Sequence, residues 1–164
     1  MRYSGAMHQS SPSDRRLYAD DLRVGADYPL GSYHVTREEL LDYARHWDPQ
    51  VFHVDEEAAE HGHFRGLITS GLHTMAIYQR LAVLDVFQHW HVIAGRTFRE
   101  VQFLRPVRAG DDLTGTVRIE SIVPGARERA LVTTSAELVV AEGKPVLTLL
   151  VDAYVRLRRD ACSG

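Results

Sequence analysis

The sequence predicts an α+β fold in which a curved antiparallel sheet wraps around one long buried helix. Three observations carry that expectation. Residues 71–87 place apolar side chains on nearly every side of a helical axis, as in a helix enclosed by its neighbours. After His91 the hydrophobic period changes from helical to two, over four stretches long enough to be strands. The links Pro124-Gly125-Ala126-Arg127 and Glu142-Gly143-Lys144 are short enough for hairpins, so the last three stretches should pair antiparallel as a meander.

In chain order, residues 1–16 are polar and Ser-rich, which marks them as a flexible arm before a single domain spanning 17–160. A short first strand is expected near 31–35, after interruptions at Gly25, Pro29 and Gly31. Thr36 and Glu39 have the capping-box spacing, and Leu40, Tyr43, Ala44 and Trp47 recur at helical intervals, predicting a helix over 37–47. Asp48 precedes Pro49 and is pushed out of helical geometry, so an irregular loop should follow. A short acidic helix is expected at 55–60, closed by His61-Gly62-His63. Strands are expected near 92–104, 112–123, 128–141 and 145–157, the last with Leu147, Leu149, Val151, Ala153, Val155 and Leu157 on one face. Such a sheet leaves edges, which a second copy of the chain can cover, so a homodimer is the expected assembly.

Of the 164 residues, 45% are hydrophobic and 25% charged, which sets aside disordered and fibrous classes. A net charge of -3 supplies no diffuse positive field for nucleic acid, and no apolar run is long enough to span a bilayer. Only Lys144 among the 19 basic residues is a lysine, so any anion site would be built from arginine. The single cysteine, Cys162, excludes an intrachain disulfide framework and fits a reducing cytoplasm. The opening residues lack an apolar signal core, so no export is expected.

Two segments carry the chemistry. In Trp47-Asp48-Pro49-Gln50-Val51-Phe52-His53, a carboxylate and an imidazole stand five residues apart across the expected loop. Five extended residues reach at most roughly 17 Å, but Pro49 forces a bend, so Asp48 and His53 can converge on one water as an acid–base pair. In Thr69-Ser70-Gly71-Leu72-His73, Ser70 has the place of a cap and the Gly71 N–H lies at the positive end of the long helix, open to a ligand oxygen. Phe52, Ser70, Leu72 and His73 complete the expected ligand-binding set, the apolar stripe that Leu72 begins being mostly core with its first turn at a pocket. His73 has a competing role as a hydrogen-bonded core histidine.

The run from Tyr43 to Thr74, YARHWDPQVFHVDEEAAEHGHFRGLITSGLHT, resembles the MaoC-like dehydratases, a hot-dog-fold family that includes (R)-specific enoyl-CoA hydratases. The later GRTFREVQFLRPVRAGDDLTGTVRIES, Gly95 to Ser121, is similar to a second stretch of that family. The resemblance implies reversible hydration of an enoyl-CoA or enoyl-ACP thioester to a 3-hydroxyacyl thioester, with no metal or redox cofactor. It assigns water activation to Asp48 and His53, and polarisation of the thioester carbonyl to the Gly71 N–H with Ser70 beside it. The sequence departs from the family pattern at Pro49, at Gln50 where Asn is common, and at Val51, which replaces the usual proline.

Other readings compete. A hot-dog thioesterase needs a carboxylate near the central helix, yet no Asp or Glu occurs between Glu60 and Asp85. A non-catalytic acyl-CoA-binding or partner subunit is the alternative of a different class. The His61/His63 and His89/His91 pairs have zinc-compatible spacing, but no further Cys or Asp cluster is placed to complete a site, so no metal is expected. Arg96, Arg99, Arg105 and Arg108 are read first as solvated charge on the sheet, with a CoA phosphate site as the sharper alternative.

Overall fold

The computed structural model describes residues 16–158; Arg16 apart, the expected N-terminal arm lies outside them. Five antiparallel strands form one sheet in the order β1-β3-β4-β5-β2. They are β1 (Asp27–His34), β2 (Val92–Phe103), β3 (Asp112–Gly125), β4 (Arg129–Val140) and β5 (Lys144–Arg156). The meander β3-β4-β5 is as the short connections require, with Thr134 opposite Val151 and Ile119 opposite Thr134 at its centre. Alternation sets its faces: Leu113, Val117, Ile119, Ala130, Val132, Leu138, Leu147, Leu149 and Val155 are buried against the helix side.

Four helices precede β2: α1 (Arg37–Trp47), α2 (Val51–Val54), α3 (Glu56–His61) and α4 (Gly71–Asp85). The capping box forms as the spacing predicts, with Thr36 Oγ1 accepting from Glu39 N–H at 3.2 Å and the Glu39 carboxylate returning to Thr36. Strand β1 begins four residues earlier than expected. Pro29 does not break it, because β1 is an edge strand and a missing N–H is tolerated there. Its register slips between Leu30 and Tyr33, where Gly31 N–H instead meets the Asp85 carboxylate at 2.8 Å and pins the strand to the end of α4.

Helix α4 lies on the sheet through Ile77, Tyr78, Leu81 and Ala82, which join the main core with Val35, Val86 and Trp90. It is not enclosed on every side as its composition suggests. Leu72, Val83 and Leu84 are exposed, so within one chain the helix keeps an uncovered apolar stripe. Strand β2, the other edge, is exposed along almost its whole length, and its pairing with β5 slips at three points. At the last of these, Glu100 adopts a φ of 51°, the left-handed geometry of a bulge. No helix among the described residues is long and apolar enough to cross a membrane.

Candidate active site

Helix α1 ends where Pro49 requires. Asp48 N–H still bonds to Ala44 O at 2.9 Å, after which Asp48 leaves helical geometry. The expected loop is shorter than it reads, because Val51–Val54 form one helical turn, α2, that folds the chain back. His53 lies on that turn, almost fully buried, and its Nε2 comes to 3.5 Å from Asp48 Oδ2. The five-residue gap is thereby closed.

The other imidazole nitrogen fixes the proton. His53 Nδ1 lies 2.8 Å from the carbonyl of Ile68, which can only accept, so Nδ1 carries the hydrogen, and in the neutral form of the ring Nε2 is the nitrogen with the lone pair. The edge of Phe52 packs against the same ring, with centroids 4.4 Å apart. Asp48 Oδ2 accepts from Ser70 Oγ at 2.7 Å, and Gln50 donates to Oδ1 at 3.3 Å. The Ser70 bond in particular, then Gln50 and the proximity of His53, hold the Asp48 carboxyl below its ordinary value against the opposing effect of burial.

Ser70 has two tasks. Its Oγ also accepts from Leu72 N–H at 3.2 Å, so one hydroxyl caps α4 and orients the acid. The Gly71 N–H, at the first helical position, has no intrahelical acceptor and no hydrogen-bond partner among the described residues. A cavity of about 310 Å³ opens here, walled by Phe52, His53, Phe64, Gly71, Thr74 and Phe103 among others. A Cβ on Gly71 would meet the Phe103 ring at 2.9 Å, so glycine is what permits this wall and this amide to coexist. A larger, shallow hollow on the opposite face of the sheet, lined by Glu100, Thr116, Arg118 and Thr148, contains no imidazole.

The structure thus brings together Asp48, His53, Ser70, Gly71 and Phe52. Phe52, His53 and Gly71 line the cavity, while Asp48 adjoins it through His53. Leu72 and His73 do not line it. Each helical residue turns the side chain by about 100°, so Gly71 and Thr74 share the cavity face while Leu72 points to solvent. His73 turns toward α1 and stacks on Tyr43, with ring centroids 4.5 Å apart and planes 6° from parallel. Burial lowers its basicity against the pull of Glu39.

Three arginines read first as solvated charge have other employment, Arg105 donating to Pro145 O at 2.7 Å. Arg99 forms a fork to buried Asp152 at 2.9 Å, and Arg108 bonds the carbonyls of Phe64 and Leu67. Phe103, Phe64 and Thr74 were not expected at the cavity; Phe103 lies at the end of a strand, where alternation says nothing about what faces a helix tip. Among the described residues no three His, Cys, Asp or Glu side chains cluster to hold a metal.

Residues 23–141 match the family described as the MaoC like domain, well over half the chain. The chain belongs to the MaoC-like family. A MaoC-like dehydratase from Rhodospirillum rubrum is 32% identical and superposes with a TM-score of 0.79, covering 87% of this chain and 98% of that one. The uncharacterized protein YdeM of Bacillus subtilis is also 32% identical over 114 residues, 70% of this chain and 81% of YdeM. The R-hydratase PhaJ1 of Pseudomonas aeruginosa shares the fold at 20% identity, TM-score 0.69, covering 87% of this chain and 88% of that one. This MaoC-like protein therefore has the hot-dog fold, its five-stranded sheet wrapped on α4.

Proposed function

We propose that this MaoC-like protein reversibly hydrates a trans-2-enoyl thioester, carried on CoA or ACP, to the 3-hydroxyacyl thioester. The observation that carries the reading is the His53 imidazole: its Nδ1 is held by Ile68 O, and its free Nε2 faces Asp48 at the wall of a cavity that Gly71 also lines. A water held against Nε2 and Asp48 loses a proton as its oxygen adds to C3, the C2–C3 double bond shifts its electrons toward the thioester oxygen, and a proton then returns to C2. The Gly71 N–H, at the positive end of a 15-residue helix, receives the oxygen on which negative charge grows. Ser70 keeps Asp48 ionised and aimed, because its hydroxyl bonds only the charged form this well.

The assembly we propose is a homodimer. The β2 edge exposes Ile93, Phe98 and Phe103, and α4 exposes Leu72, Val83 and Leu84, apolar side chains that a second copy would cover.

Following the loss of enoyl-thioester absorbance across short, medium and branched acyl chains tests the reaction. Asp48→Asn and His53→Ala should each lower kcat/KM by about 100-fold or more, the scale of a positioned acid–base group. Equal rates in the two variants and the wild type would remove the assignment. Binding of acyl-CoA without turnover by any of them would favour the non-catalytic subunit.

A further inference from the structure

We infer that Arg108 is a positioning residue that sets the tautomer of His53, working from the β2–β3 connection through the backbone of the segment that leads into α4. The inference rests on the proposed hydratase reading for its catalytic consequence, but its structural content stands apart from it.

Residues 62–70 have no helix or strand to hold them in place, yet Ile68 in their midst supplies the carbonyl that orients His53. Something outside must fix that carbonyl. The described contacts come largely from one place: Arg108 Nη1 donates to Leu67 O at 3.2 Å, Arg108 Nη2 donates to Phe64 O, and Thr69 N–H donates to Val107 O at 2.7 Å. The segment is clipped on both sides of Ile68 by two consecutive residues of the connection. Arg108 is itself set by its own N–H, which donates to Asp111 Oδ2 at 2.8 Å.

The guanidinium is suited to this. It is planar, always charged and presents N–H groups in a fixed fork, so two carbonyls three residues apart can be served by one side chain. Gly66 lies between them at a φ of 136°, and a Cβ there would stand 3.1 Å from Arg108 Nη1. Glycine both adopts the required turn and clears the approach. Two further bonds tie the segment back: Gly66 N–H to Ala59 O of α3 at 2.9 Å, and Ile68 N–H to Phe52 O of α2, the turn that carries His53, at 3.4 Å. Arginine, carbonyl and imidazole thus form one chain of constraint. Loosening its far end frees Ile68 O, and a neutral imidazole without that acceptor can place its hydrogen on Nε2, where the reaction needs a lone pair.

The test uses the full chain with 15N-labelled histidine, His53 being assigned by the signal lost in His53→Gln. Long-range proton–nitrogen spectra distinguish a protonated from a bare ring nitrogen. Wild type should show Nδ1 protonated and Nε2 bare. Arg108→Met should show a mixture with substantial Nε2–H, and Arg108→Lys, which keeps the charge and the alkyl stem but not the fork, should show the same mixture to a lesser degree. Val132→Ala, in the core on β4, serves as the control for lost stability and should keep the wild-type pattern. An unchanged Nδ1–H signature in Arg108→Met, or in Arg108→Lys should the methionine variant not fold, overturns the inference. So does an equal tautomer change in the Val132 control. With enoyl thioester as substrate, Arg108→Met should lower kcat by about 10- to 100-fold with KM little moved, the scale seen when an orienting partner is removed. A wild type that hydrates no thioester defeats the proposed function and leaves the spectroscopic result to judge Arg108.

Discussion

A single hydroxyl governs the charge of the site. Ser70 Oγ is the largest influence keeping the Asp48 carboxyl below its ordinary value, and it does so by a 2.7 Å bond that the protonated acid would accept less well. Replacing Ser70 with Ala removes the donor, so the Asp48 value rises and the acidic limb of the kcat/KM profile should move to higher pH. A profile measured on wild type and Ser70→Ala checks this; an unmoved limb would show that Asp48 is not the group titrating there. The sign for stability is the same. The folded-state value lies below the unfolded one, so Asp48 stabilises the fold above the ordinary carboxylate range and that contribution fades as pH falls through the folded value. At this scale the sequence was informative about placement: Asp48, Ser70 and Gly71 could be located because helix-stop, cap and helix-start chemistry are local, and His53 through its spacing from Asp48 and the family resemblance. Arg108 and Phe103 were not, since what they touch lies about 40 and 30 residues away in the chain, and no local period records a side chain that reaches across space.

Among the elements, β2 depends most on a polar clasp. Asp152 of β5 is buried on the sheet face away from α4 and accepts from Thr97 and Arg99 of β2 and from Thr133 of β4. The Arg99 fork above all, then the two threonines, depress its carboxyl far below the usual range despite the cost of burial. Asp152→Ala should cost on the order of 2 kcal/mol, less than for a fully buried pair because Arg99 is 43% exposed. Denaturant unfolding at neutral pH measures it. The difference between wild type and variant should shrink in acid, as the pH drops from the unfolded carboxylate value toward the much lower folded one. No difference at neutral pH would mean that the clasp holds nothing. Element by element, the helix from 37, the buried-helix assignment and the meander could be read from period and punctuation. The turn α2 could not: four residues are too few for a helical pattern, and its apolar residues looked like loop. The uncovered stripe on α4 was missed for a related reason, since an apolar surface reads the same whether its cover is within the chain or beyond it.

For the whole molecule, the prediction concerns assembly. Phe98 is half exposed on the β2 edge, opposite Val151, where a second chain would bury it. Light scattering after size exclusion should give twice the chain mass for wild type and a shift toward single chains for Phe98→Asp, with reduced turnover if the cavity needs a neighbour. A wild type that elutes as one chain would refute the dimer.

Strand order also bears on how the protein is made. Among the described residues, strand β2 pairs only with β5, which follows it after roughly 40 residues of sequence. At typical synthesis rates of about 5–20 residues per second, the newborn chain carries β2 without its mate for several seconds. Its slipped register and the kink at Glu100 make it a poor template for stray strands during that wait. Irregularity at this border would thus disfavour stray edge-to-edge pairing while the chain is being made.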